Sequence, residues 1–260
     1  CVVQQERRKL LAHTRDGTWL ARFAGLGRDG ERALARAHLL HRAGFTPEVA
    51  GLCHGFLIER WIAAVPLAVA DMDPAGRLCM IERVGRYLGF RARELAADPA
   101  NGASLDLLAE MVRRNATLAF GAAPALPGSP ARLGARVRRV EIDGRLHAWE
   151  WLVGARGVLI KADALDHHAA HDLVGCQDIT WDLAGASVEL ALSLAEQDRL
   201  ARITGETSGR AIDPELLALL RPCYLAFQLG RHALAATWGG GEAARLRAAA
   251  DHYAAQLAAT

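Results

Sequence analysis

The chain has 260 residues, 52% of them hydrophobic and 23% charged, with a formal net charge of +2. That is an ordinary globular balance without a general electrostatic pull toward nucleic acid or an anionic membrane, so neither is expected as a partner. The five cysteines, Cys1, Cys53, Cys79, Cys176 and Cys223, are odd in number and lack a C-x-x-C pair. This argues against a disulfide framework or zinc knuckle and makes the cytoplasm the expected compartment. No apolar run approaches the roughly 20 residues of a membrane span, and the opening CVVQQERRKLL has too short an apolar part for a signal peptide.

Residues 8–26, RKLLAHTRDGTWLARFAGL, predict two short strands around Asp16-Gly17, because TWLARF places an apolar residue at alternate positions beside a hairpin dipeptide. DGERALARAHLLHRAG then has Leu34, Ala37, Leu39 and Leu40 near helical spacing, with Asp29 as the expected cap and Gly44 as the stop. FTPEVAGLCHGFLIERWI returns to short apolar runs punctuated by Pro47 and Gly51, which predicts further strands. From about Pro74, RLCMIERVGRYLGFRARELA and SLDLLAEMVRRNATLAF read as amphipathic helices. GAAPALPGSPARLG is a Pro/Gly loop, RVRRVEID and GVLIKADAL read as strands flanking GRLHAWEWLV, and from Asp182 the chain is Ala/Leu-rich and helical. The expected fold class is α+β in two lobes, with a boundary near residues 63–73. Residues 1–66 form a small antiparallel sheet with one helix; residues 67–260 form a mainly helical lobe carrying a hairpin over 138–165.

That lobe order and several local strings resemble the aminoglycoside phosphotransferase and choline kinase branch of the protein-kinase-like fold. GTWLARF is similar to the strand bearing the phosphate-binding lysine, with Arg22 in its place, and the helix at Glu31 is similar to the one whose glutamate pairs with that cation. GFLIERWIAAVPL resembles the hinge. LHAWEWLV sits where the family has His-Gly-Asp-Leu-His-Pro-x-Asn, and LIKADAL where an apolar strand ends in a metal-binding aspartate. GCQDITWDLAGA looks like the Gly-Asp-Pro-x-x-Asp-Leu-Ala segment that opens a helix. The strings keep their order from residue 8 to about 190, and no single one is intact. The resemblance implies ATP and Mg²⁺ as cofactors, phosphoryl transfer to the hydroxyl of a small molecule, and a nucleotide-covering loop at or before Cys1.

Residue by residue, the resemblance makes Asp163 and Glu150 the metal ligands, since a hard cation prefers carboxylate oxygen. Arg145 falls on the catalytic aspartate, and an arginine stays protonated. Either Asp143 takes over that role, or it closes an Asp-Gly turn and the protein is a catalytically silent nucleotide- or partner-binding domain. His147 matches the second histidine, and Asp182 a structural aspartate that, once buried, needs donors from the catalytic loop. Arg22 and Glu31 would serve the phosphates, while Glu59, Arg60 and Trp61 lead through the hinge to Ile62, with Phe56 and Ile58 lining an apolar slot for adenine. Plainer readings stand beside these. HAWEWL also fits a strand with Trp149 and Trp151 on one side. GLGRDGE is a weak phosphate cradle, and RVRRVEIDGR is a solvated basic face or one facing an anionic acceptor. His167, His168 and His171 have zinc-compatible spacing but lack the zincin glutamate, and otherwise brace the loop around Asp163 and Asp166, with Asp172 and Asp178 in turns. The acceptor itself and the oligomeric state are not marked by any motif.

Overall fold

The dipeptide Asp16-Gly17 turns the chain because Gly17 adopts φ +123°, a conformation that side chains resist, and a Cβ there would strike the Arg60 guanidinium. It joins β1 (Lys9–Thr14) to β2 (Gly17–Phe23), antiparallel, with Thr14 opposite Gly17. The structure, a computed structural model, describes residues 9–154, 157–169 and 174–260. Arg8, His171, Asp172 and the segment expected to cover a nucleotide lie outside the described residues.

The first helix, α1 (Gly27–Arg42), starts ahead of the expected cap: Asp29 sits inside its first turn, and the N-cap is Leu26 without a capping side chain. Gly44 ends the segment as expected, at φ +78° with its N–H on His41 O. β3 (Val49–Cys53) and β4 (Phe56–Arg60) complete a four-stranded sheet of order β1-β2-β4-β3, and α1 packs on β3 and β4. Its buried Ala37 and Leu40 meet Phe45, Val49 and Leu57. This apolar cluster runs on without a break into the helical lobe, where Phe45 meets Tyr87 edge-to-face at 5.3 Å.

The second lobe opens with β5 (Val65–Pro66), which pairs with β7 (Trp151–Val153), itself paired with β8 (Leu159–Lys161). The helices α2 (Pro74–Glu94) and α3 (Leu105–Phe120) begin where Asp73 and Ser104 accept N–H bonds from Gly76 and Leu107. The Pro/Gly loop also contains a short helix, α4 (Pro130–Gly134), started by the Ser129-Pro130 cap. The helical C-terminus resolves into α5 (Thr180–Glu189), α6 (Leu194–Ser208), α7 (Pro214–Trp238) and α8 (Ala243–Ala258). Among the described residues no helix is long and apolar enough to cross a membrane.

Two predicted strands are cut short. RVRRVEID contributes only β6 (Arg139–Val140), paired with β9 (Gln177–Asp178), because the backbone beyond it turns to bond Asp182. HAWEWL is not a continuous strand: residues 148–150 form a 3-10 turn, so Trp149 is exposed, Trp151 is fully buried, and the two do not share a face.

Gly85 and Gly89, one turn apart in GRYLG, let α2 lie close against α6; a Cβ at Gly89 would collide with the Thr207 side chain and the Thr204 carbonyl. Gly89→Ala should therefore destabilise the protein by about 1–3 kcal/mol despite its better helix propensity, read as a lower urea midpoint at an unchanged slope.

Candidate active site

Every residue of α5 from Thr180 to Val188 is buried, so Asp182 in its first turn faces the interior and needs donors. It finds them where expected: the N–H groups of Asp143 and Gly144 donate to its two carboxylate oxygens at 2.7 and 2.8 Å. This clamp fixes the start of the loop over 143–147. Burial and the adjacent Asp143 carboxylate push Asp182 up to about 6.

Asp143 is also sealed from solvent. Its carboxylate accepts the Tyr87 hydroxyl and the Arg145 N–H, with Lys161 Nζ at 3.5 Å and Arg91 Nη1 at 3.9 Å. Burial alone would raise its pKa, but Lys161, His167 and Arg91 outweigh that and hold it well below the usual carboxylate range. Lys161, wholly buried, donates to Ala162 O at 2.7 Å and lies 3.6 Å from Glu150 Oε2. Arg91 donates to Tyr87 Oη, Ala164 O and Glu141 O, tying α2 to the segments that follow β6 and β8. Asp143 thus stands in an Asp-Gly turn inside a buried charge network, with its carboxylate taken up by Tyr87, Lys161 and Arg91.

The next carboxylate is arranged differently. Asp163, just past β8, has a left-handed backbone at φ +48°, a costly conformation for a non-glycine residue. Its side chain remains 28% exposed, with Arg22 Nη1 and His167 Nε2 both at 3.7 Å and Lys9 Nζ at 4.0 Å. Against the effect of burial, His167, Arg22 and Lys9 keep it ionised far below its ordinary range. Ligand atoms of Asp163, Asp166 and His167 lie within 4.8 Å of one another. His167 Nδ1 is 2.8 Å from Asp143 O; a carbonyl can only accept, so Nδ1 carries the proton and Nε2 is left toward Asp163. His168 Nε2 turns to Glu141 at 3.8 Å, so His167 and His168 do not converge as a zinc pair. Glu150 is drawn to Lys161, while the acidic neighbour gathered with Asp163 is Asp166.

The cation on β2 finds a different partner from the one expected. Arg22 Nε bonds Glu59 Oε2 at 2.8 Å in a buried pair, whereas Glu31 is exposed on α1. Strand register explains the choice: Leu57 is opposite Arg22, so Glu59 is the diagonal neighbour on the same face. The inward polar residue of α1 is Arg36, which donates to Glu141 Oε2 and Leu165 O, each at 2.6 Å. At the hinge, Arg60 N–H bonds Glu48 O and Trp61 N–H bonds Thr18 O, so those two donors are committed; the Arg60 side chain pairs with Glu48 over the Trp19 ring. His147 Nδ1 lies 2.5 Å from Glu189 Oε2, its ring stacked on Trp149, and Tyr224 and Tyr253 donate to the other Glu189 oxygen. The Arg145 guanidinium makes no hydrogen bond or ion pair to a described side chain.

Sequence reasoning missed Lys9, Arg36, Tyr87, Arg91 and Lys161. Lys161 did leave a signal, a charge inside the three-residue strand LIK between apolar neighbours.

No family model matches the chain, and no curated protein matches it by sequence. Solved structures match over nearly the whole length. The choline kinase LicA from Streptococcus pneumoniae aligns with a TM-score of 0.59 at 15% identity, covering 95% of this chain and 90% of that one. Macrolide 2'-phosphotransferase MphH from Brachybacterium faecium gives 0.56 at 18% identity over 96% of this chain and 89% of that one. A putative aminoglycoside phosphotransferase from Ralstonia eutropha JMP134 gives 0.53 at 13% identity, over 96% and 93%. The chain has the two-lobed, protein-kinase-like fold of these phosphotransferases, as its sequence resemblance implied.

Removing Lys161 would leave the buried Asp143 and Asp182 carboxylates with Arg91 and His167 as their remaining compensation. Lys161→Met should cost about 3–5 kcal/mol in urea unfolding, and Lys161→Met combined with Asp143→Asn should recover part of it. Burial, with Arg36 nearby, lowers His168 to about 4. The unfolded chain binds this proton at higher pH than the folded one, so stability falls as pH drops from about 6.5 toward 4. His168→Gln should flatten that part of the stability-versus-pH curve, measured by chemical unfolding across the range.

Proposed function

We propose that the protein transfers a phosphoryl group from ATP to the hydroxyl of a small molecule, with Mg²⁺ bound in the cleft. The observation that carries this reading is Asp163: ionised, partly exposed, fixed in a left-handed backbone, and faced by Arg22 and Lys9 from the sheet. Lys9 and Arg22 are opposite one another across β1 and β2, so two cations reach the same carboxylate from adjacent strands. The named activities of the structures sharing the fold support the same class of chemistry.

The residues present suit a divalent metal. Asp163 and Asp166 supply hard carboxylate oxygen and His167 an imidazole nitrogen, with the His167 tautomer fixed by Asp143 O. When bound, Mg²⁺ neutralises phosphate charge and aligns the phosphates. Arg22 and Lys9 add positive charge on the sheet side, and Arg145, free of side-chain partners among the described residues, is available to the transferring phosphoryl oxygens. Arg145 cannot accept the acceptor's proton and Asp143 is sealed, so the loop supplies no general base. A loose transition state demands little of one; positioning and fixed charge carry most of the acceleration. Strand register turns Phe56 and Ile58 to the face of the sheet opposite Arg22, so they do not wall the adenine side; with the Arg60 and Trp61 N–H groups committed, the N–H groups of Ile62 and Ala63 are left to face a base.

Calorimetry of the full chain should give Mg²⁺-dependent ATP binding. Asp163→Asn should weaken it roughly tenfold and lower turnover by about 10²–10³, whereas surface Arg245→Ala should change neither. ATP binding indifferent to Mg²⁺ and to Asp163 sinks the proposal; Mg²⁺-dependent binding without turnover on any hydroxyl acceptor points to the silent, nucleotide-binding alternative.

A further inference from the structure

Beside the β6–β9 pair, residues 135–138, the start of α5 and the α6–α7 connection enclose a cavity of about 470 Å³. Its charged lining is three arginines, Arg136, Arg138 and Arg210, and two aspartates, Asp178 and Asp213. Both aspartates are occupied. Asp178 accepts from the Thr180 N–H and hydroxyl and from the Arg138 N–H, while Asp213 caps α7 and pairs with Arg136, which also holds Glu215.

Two guanidinium groups are left over. Arg138 is exposed and makes no side-chain ion pair or hydrogen bond to a described residue. Arg210 has its backbone held by Ser208 and Gly205, yet its Nη2 is buried without a hydrogen-bond partner. A buried guanidinium N–H lacking an acceptor is costly, and an oxyanion matches the donor fork of arginine better than a single water does. The charged lining is net positive by one, and two free donor forks on one cavity suit the several oxygens of a single anionic group. The volume exceeds the needs of a bare oxyanion and falls among pockets for small organic molecules, with Ile212 and Leu216 supplying apolar wall.

We infer that this cavity binds a small phosphate monoester through Arg138 and Arg210, at a site separate from the cleft. None of Lys9, Arg22, Arg145 or Asp163 lines it. Asp178 ends β9 four residues before Asp182, and Arg138 leads through β6 to Asp143, so an occupant here would touch both segments that meet at the loop clamp.

Calorimetry of the full chain at fixed ionic strength, with glycerol 3-phosphate, inorganic phosphate and glycerol as probes, tests this. Glycerol 3-phosphate should bind saturably with a Kd below about 1 mM, glycerol not at all, and Arg138→Ala or Arg210→Met should each weaken the ester roughly tenfold. Arg138 is exposed, so its variant should keep the wild-type melting curve even if the Arg210 variant does not fold. Arg145→Ala should leave the affinity unchanged. The inference is overturned by absence of saturable heat up to about 10 mM ester, by an unchanged Kd in Arg138→Ala, or by loss of binding in Arg145→Ala, which would put the anion in the cleft. Inorganic phosphate binding more tightly than the ester would equally overturn it, leaving an adventitious ion only.

Discussion

Two backbone N–H groups donated to the buried Asp182 carboxylate set the position of everything at the candidate site. They fix Asp143 and Gly144, and the Asp143 side chain then enters a space where Asp182 already stands. Two carboxylates so close and so dry cannot both ionise without cations, and Lys161 and Arg91 are those cations. Desolvating each ion costs several kcal/mol, while a charge pair at 4 Å returns about 4 kcal/mol at an effective dielectric of 20. The network is therefore near balance as a source of stability. Its effect is on geometry: α2, the loop, β8 and α5 have one arrangement that leaves no charge alone.

That arrangement decides which groups are left for chemistry. With Asp143 bound inward, Arg145 is the charged side chain of the loop left without a described side-chain partner. Past β8, the left-handed turn at Asp163 brings it together with Asp166 and His167. The His167 ring joins the two halves, giving its Nδ1 proton to the Asp143 carbonyl and its Nε2 to the Asp163 side. For the proposed phosphoryl transfer such a site is coherent, because charge stabilisation dominates that chemistry and a base contributes little.

Much of this was legible in the sequence where one residue's local physics determines the outcome. Asp16-Gly17 could hardly be other than a turn, the helices show their period, and the resemblance of WDLAGA marked Asp182 as an aspartate that, once buried, needs donors from the loop. What could not be read is partner choice. Arg22 prefers Glu59 to Glu31 because of a strand register that no local string encodes. Asp143 resembled a displaced base because the sequence does not reveal that Tyr87, 56 residues away, closes over it. The early end of β6 follows from the same clamp, a tertiary bond overriding strand propensity.

The cationic residues divide along chemical lines. Of 31 lysines and arginines only Lys9 and Lys161 are lysines, and both stand at the candidate site. Arginine does the tying of loops: Arg36, Arg83, Arg91, Arg93 and Arg139 all donate to backbone carbonyls of distant segments, Arg139 to three of them. A planar fork with five fixed donors suits that work, because several carbonyls in set directions can be satisfied at once. A lysine suits the opposite requirement. Lys161 must balance Asp143 and Glu150 from a buried point between them, and Lys9 reaches Asp163 from an open strand with freely rotating donors. Where the chain needs fixed direction it uses arginine, and where it needs charge that adjusts to its neighbours it uses lysine. Arg22 is the instructive exception: paired with Glu59 on one side and facing Asp163 on the other, it ties two strands together as a structural arginine while its charge also reaches the Asp163 carboxylate.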